Sequence, residues 1–106
     1  MMRKPSYSLT DIQALVLGGE SGYRISRVAR DGAAELRLDE KDIVACVCGL
    51  DDGHFYKSMP ADSFPGRWQD VYKTAYDGFP IYIKLQISGP PDRRAVVISF
   101  KRDESR

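Results

Sequence analysis

Histidine is almost absent from this chain, which has a single one, His54, in 106 residues. There is no P-loop, no Gly-rich dinucleotide fingerprint and no zinc-ligand spacing, so the usual nucleotide, metal and Ser-His-Asp readings have no foothold. His54 stands beside Phe55 in a turn-like setting and reads as a surface residue rather than a catalyst. The carboxylates are poorly placed for glycosidase chemistry, since Asp51-Asp52 and Asp39-Glu40 fall at helix ends and solvated positions. Cysteine is scarce too. Cys46 and Cys48 sit two apart in an apolar run, where helical geometry points them to different sides, so buried free thiols are expected rather than a disulfide or a zinc pair. No run of 18 apolar residues exists, and Met1-Met2-Arg3-Lys4-Pro5 is not followed by the apolar stretch of a signal peptide; no membrane association and a cytoplasmic location are expected. Repeats, low-complexity tracts and linkers are also missing. Residues 1–106 therefore read as a single domain.

What is present is an ordinary globular composition, 42% hydrophobic, with a net charge of +1 that conceals a division. Residues 1–54 carry seven Lys or Arg against nine Asp or Glu, a balance of −2, whereas residues 55–106 carry nine against six, a balance of +3. The basic half is compatible with phosphate binding by one face.

The first half reads as helical. Tyr7 to Val16 opens a short helix with Thr10 as N-cap and Leu9, Ile12, Leu15 and Val16 on one face, stopped by Gly18-Gly19. Tyr23-Arg-Ile is a short extended piece. Ser26 then caps a second helix carrying Val28, Ala29, Ala33 and Leu36 inward, in which Gly32 costs about 1 kcal/mol relative to Ala and must be offset by packing. Asp39 with Asp42 resembles a capping pair for a third helix, with Ile43, Val44, Val47 and Leu50 as its apolar stripe.

The second half alternates with a period of two. Ile81, Ile83, Leu85 and Ile87 alternate with Tyr82, Lys84 and Gln86; Val96, Ile98 and Phe100 alternate with Val97, Ser99 and Lys101. Between them lies Ser-Gly-Pro-Pro-Asp-Arg-Arg, so the pair reads as an antiparallel hairpin. A turn centred between Pro91 and Asp92 sets Ile83 opposite Phe100, Leu85 opposite Ile98 and Tyr82 opposite Lys101. A slip of one residue would bury Lys101 and expose Phe100. Trp68-Gln-Asp-Val-Tyr-Lys also alternates, and a turn at Asp77-Gly78 would place Gln69 opposite Gln86 on the face of Tyr82 and Lys101. Asp62 to Arg67 reads as a loop. The predicted class is α+β, with short N-terminal helices packed on one face of a C-terminal antiparallel sheet and a polar open face on the other.

That open face holds lysine, tyrosine and glutamine. Cutting RNA needs a base for the 2′-hydroxyl proton, cations for the charge on the phosphorane and an acid for the leaving 5′-oxygen. Lys and Tyr can fill those roles without a metal where clustering lowers a pKa. A merely solvated or structural polar face is the other reading of the same residues.

Four motifs in order, Phe55-Tyr-Lys-Ser-Met, Trp68-Gln-Asp-Val-Tyr, Ile81-Tyr-Ile-Lys and Val97-Ile-Ser-Phe-Lys, resemble the MqsR toxin family, the motility quorum-sensing regulator group of RelE-like messenger-RNA interferases. Leu9 to Val16 and Cys46 to Leu50 extend the resemblance over nearly the whole chain. It implies a RelE-like fold and the toxin of a type II toxin-antitoxin pair: a metal-independent endoribonuclease, without cofactor, cutting messenger RNA at short GC-containing sites. It also implies an antitoxin of the MqsA type, with a zinc-binding N-terminal domain and a helix-turn-helix domain, through which alone promoter DNA would be met. The family's functional residues fall on Tyr56, Lys57, Gln69, Tyr82 and Lys101, with Met59 in the same patch. Expected catalytic residues are thus Lys57, Gln69, Tyr82 and Lys101, with Lys57 or Tyr82 as base, Lys101 on the phosphorane and Gln69 as a hydrogen-bonding group. Expected substrate contacts are Tyr56, Met59, Lys84 and Arg67, and no metal ligand is assigned. The turn Gly89 to Arg94, the tail Asp103 to Arg106 and the loop around Phe64-Pro-Gly depart from the family pattern, which leaves the preferred triplet open. A non-catalytic RNA- or antitoxin-binding regulatory protein of the same fold is the alternative reading, and a Lys-to-Arg change in the cluster separates the two.

Overall fold

The computed structural model describes residues 4–61 and 66–104, so most of the expected loop from Asp62 to Arg67 lies outside the described residues. Three nine-residue helices, α1 (Leu9–Leu17), α2 (Arg27–Glu35) and α3 (Glu40–Cys48), pack on one face of a sheet built from β1 (Tyr23–Ile25), β2 (Phe55–Pro60), β3 (Trp68–Tyr76), β4 (Phe79–Ile87) and β5 (Ala95–Arg102). The class is α+β, but the sheet is mixed. Its order is β1-β5-β4-β3-β2, and β1, the short extended piece between the first two helices, pairs parallel to β5 at one edge. A purely antiparallel C-terminal sheet is therefore corrected: three residues of the N-terminal half complete it.

Each helix starts where a small polar side chain can reach a free backbone N–H. Ser26 accepts from Ala29 N, and Asp39 and Asp42 form a reciprocal capping box. In α1 the cap is Ser8, not Thr10, because Ser8 lies three residues before Asp11 and its hydroxyl accepts that N–H at 3.1 Å. Ile12, Val16, Ala29, Ala33, Ile43 and Val47 face the sheet, where they meet Tyr72, Ile81, Ile83, Leu85, Val97 and Phe100. Val28, expected inward, is 66% exposed. Gly32 has the packing reason that its helix cost demands: a Cβ there would stand 1.9 Å from the Phe100 carbonyl oxygen, so α2 lies directly on the backbone of β5.

The hairpin registers carry the site. Tyr76 pairs with Phe79 across a two-residue turn in which Asp77 (φ 52°) and Gly78 (φ 83°) are both left-handed, the geometry that suits strand twist. In β4–β5, Ile83 faces Phe100 and Tyr82 faces Lys101 as expected, but Leu85 faces Val97 rather than Ile98. A bulge leaves Ile98 as the extra residue, so Val97 turns into the core; the Ile98 carbonyl accepts a 2.7 Å hydrogen bond from the Ser26 hydroxyl.

Asp70 anchors the other side. Fully buried, it accepts the backbone N–H groups of Ser6 and Tyr7 at 3.0 and 2.9 Å, while Ser6 Oγ meets Ser58 Oγ at 2.7 Å, tying the segment before α1 to the β2–β3 edge. Among the described residues no helix is long and apolar enough to cross a membrane.

Candidate active site

The helix-free face of the sheet is a grid. Alternation puts every second side chain on this face, and the registers align them across strands. The first row runs Lys101, Tyr82 and Lys73 across β5, β4 and β3. The second runs Ser99, Lys84, Val71 and Lys57, across to β2. The third holds Gln86 with Gln69, whose Nε2 donates to Gln86 Oε1 at 3.2 Å, and Met59 opposite Gln69.

Tyr56 joins the first row through a bulge. Phe55 faces Tyr72 and Lys57 faces Val71, which leaves Tyr56 as the unpaired extra residue of an edge strand. Tyr56 is 53% exposed, and its ring lies beneath the Lys73 ammonium, 4.0 Å from the ring centroid, with Lys57 Nζ at 5.5 Å. Lys101 Nζ is 4.9 Å from the centroid of the Tyr82 ring. Each aromatic ring of the row thus carries a lysine, an arrangement that favours the cation through the ring's quadrupole.

A cavity of about 590 Å³ opens over this row, lined by Tyr56, Lys57, Lys73, Tyr82 and Lys101 from the sheet, by Gly32, Glu35 and Leu36 from α2 and its end, and by Arg102, Asp103 and Glu104. Of the residues expected from the sequence, Tyr56, Lys57, Tyr82 and Lys101 come together here. Gln69, Met59, Lys84 and Arg67 do not line it. Gln86 is four residues from Tyr82 along β4, about 13 Å away along the backbone, so the Gln69–Gln86 pair sits at the far end of the grid. Arg67 lies farther still, beside Gly89 at the base of the β4–β5 turn, where a Cβ on the glycine would be 3.5 Å from its guanidinium.

Burial first, and then the neighbouring Tyr56 and Asp103, raise the Tyr82 phenol above the ordinary tyrosine value. A raised pKa keeps the phenol in its neutral, hydrogen-bonding form. His54 is placed structurally: its Nδ1 accepts the Asp51 N–H at 3.0 Å and closes a turn. Cys46 and Cys48 are free, as expected, with Cys46 buried and its thiol pushed up to about 12.

Residues 4–102 match the family described as motility quorum-sensing regulator, toxin of MqsA. The chain belongs to this family. A curated relative, the mRNA interferase toxin MqsR of Escherichia coli (strain K12), is 32% identical over 99 residues, covering 93% of this chain and 95% of its own. The four sequence motifs that carry the resemblance to the MqsR family lie on β2, β3, β4 and β5, one per strand, and together they make the grid.

Among the cavity residues of this MqsR-family chain that were not expected at the site, Lys73 and Asp103 form an ion pair. Lys73 was visible in the alternation of β3, on the same side as Gln69, but it lies outside the motif residues. Asp103 carries no periodic signal, since it follows the last strand.

Proposed function

We propose that this chain is a toxin with mRNA interferase activity: an endoribonuclease whose reaction takes place in the cavity over the first row of the grid. The observation that carries this reading is the convergence of three lysines and two tyrosines, from four strands, in one cavity on the helix-free face. RNA recognition suits such a surface, with cations for the backbone and an exposed ring, Tyr56, for an unstacked base.

The chemistry follows from what each group can do. Lys57 takes the proton of the 2′-hydroxyl as its oxygen bonds to phosphorus. Lys101 stabilises the charge that develops on the phosphorane, an interaction stronger in the transition state than in the ground state. Tyr82 gives its proton to the 5′-oxygen as the P–O5′ bond breaks. The products are a 2′,3′-cyclic phosphate and a 5′-hydroxyl, and no metal or cofactor enters the step. Gln69, Met59, Lys84 and Arg67 serve as substrate contacts along the grid outside the cavity, where GC-containing sites are read. The partner is an antitoxin of the MqsA type, with a zinc-binding N-terminal domain and a helix-turn-helix domain, and the setting is the cytoplasm. The chain acts as one domain over residues 1–106.

Purified protein incubated with GC-containing RNA in EDTA, followed by primer extension and end-group analysis, tests this reading. Discrete cuts beside GC steps are expected, with cyclic phosphate ends, reduced at least about a hundredfold in Lys57→Ala, the scale of losing a general base. Intact RNA from a folded wild-type chain would sink the catalytic reading in favour of a binding protein of the same fold.

A further inference from the structure

We propose that Lys73 is a further phosphate-contacting residue of the cleavage site and that Asp103, just beyond the end of β5, is the residue that positions it; the proposal rests on the reading of the cavity as the cleavage site.

Three observations converge on the pair. Lys73 Nζ is 3.5 Å from Asp103 Oδ2, and both side chains are largely enclosed, at 26% and 15% exposure, so the contact is better defined than an ordinary surface ion pair. The same ammonium lies on the Tyr56 ring, so it is held from two sides. Asp103 is itself fixed, because its backbone N–H donates to the Pro80 carbonyl at 2.8 Å and extends the pairing of β5 with the start of β4. Lys73 stands beside Tyr82 in the row, between the proton donor on β4 and the ring on β2. A phosphate lying against Tyr82 and Lys101 therefore has Lys73 as its neighbour on the other side.

The carboxylate restricts a long side chain, with its large rotamer freedom, to one direction, so less order has to be created when the phosphate arrives. Asp103 touches no reacting atom; it acts through Lys73.

The test is a set of full-length variants: Lys73→Met, Lys73→Arg, Asp103→Asn, Asp103→Glu and the double variant Lys73→Met/Asp103→Asn. The double variant removes both charges together and so guards against unfolding caused by leaving one buried charge unpaired. Steady-state cleavage of a GC-containing RNA and binding of the same oligonucleotide with 2′-fluoro substitution, which cannot be cut, are measured side by side. Lys73→Met is expected to lower kcat by about a hundredfold and Lys73→Arg by much less. It should also reduce the slope of log affinity against log salt by about 0.7, one phosphate contact on a single strand. Asp103→Asn is expected to lower kcat by roughly tenfold with KM nearly unchanged, and Asp103→Glu to restore most of the loss. In the Lys73→Met background Asp103→Asn should have no further effect, because its partner is gone. An unchanged salt slope and kcat in folded Lys73→Met, additive losses in the double variant, or faster cleavage by Asp103→Asn would each overturn the proposal while wild-type cleavage continues. A wild-type chain that binds but does not cut the RNA would instead fail the reading of the cavity itself, and the proposed roles would fall with it.

Discussion

Tyr82 is the residue where sequence and structure part most usefully. Pattern alone placed it opposite Lys101 on the open face, and that pairing stands. Its protonation could not be read from the pattern, because it depends on how β2 and the end of β5 close around the ring: burial, Tyr56 and Asp103 all raise its pKa. Tyr82→Phe keeps the ring beneath Lys101 and removes only the proton and its oxygen. If the phenol protonates the leaving 5′-oxygen, kcat should fall by about a hundredfold or more, within the range for a general acid, while the unfolding midpoint moves little. A variant cutting within a few-fold of wild type would move the acid role to another group. The other residues divide by how local their signal was. Tyr82 and Lys101 were placed on the open face by regular alternation and Lys57 only by the family motif; Lys73 and Asp103 join the cavity through neighbours far along the chain.

At the scale of elements, the alternation of two predicted β3, β4 and β5, turn residues predicted the Asp77-Gly78 turn, and capping chemistry predicted the starts of α2 and α3, whereas β2 was not read as a strand. The two bulges were not legible. Nothing in Phe55-Tyr-Lys marks the unpaired residue, nor does anything in Val97-Ile-Ser, since a bulge records a competition between twist, burial and pairing rather than a local preference. β1 also escaped as a sheet member, because three residues cannot show a period. Gly32 connects the helix layer to the site. Helix propensity alone would have Gly32→Ala stabilise the chain by about 1 kcal/mol. The structure reverses the sign, because the added methyl meets the Phe100 carbonyl of β5, a backbone atom that cannot swing aside. Net destabilisation of roughly 1–3 kcal/mol is expected, the scale of overpacking a core, and a fall of the thermal midpoint by about 5 °C or more should show it. Since Lys101 follows Phe100, cleavage should fall as well; a stabilised and fully active variant would mean that α2 is free to lift from β5.

Over the whole molecule, the two layers are joined by hydrogen bonds at the start of α3 as well as by the apolar core. The Tyr23 hydroxyl of β1 donates to Glu40, which also pairs with Arg30 at 2.8 Å, and the Tyr76 hydroxyl of β3 donates to Asp42 at 2.8 Å. One helix end is thus tied to strands that lie three places apart in the sheet order. The Tyr23 hydrogen bond, then Arg30, lower the Glu40 carboxyl below its ordinary value; the Asp39 backbone N–H, then Tyr76, lower that of Asp42. A carboxyl that binds its proton less tightly in the folded chain than in the unfolded one stabilises the fold fully above its unfolded-state pKa, and this contribution disappears as pH falls through the lowered folded-state value. Stability should therefore decline from the ordinary carboxylate range downward. Tyr23 and Tyr76, raised to about 12, give the complementary alkaline limb, with stability present below their ordinary value of 10.0 and lost as pH rises through the raised one. The measurement is urea unfolding across the pH range for wild type and for Glu40→Gln/Asp42→Asn. The variant should be less stable at neutral pH and lose less on acidification, so that the two curves converge at low pH. Parallel curves would place the acid sensitivity elsewhere and reduce these hydrogen bonds to bystanders of the apolar packing.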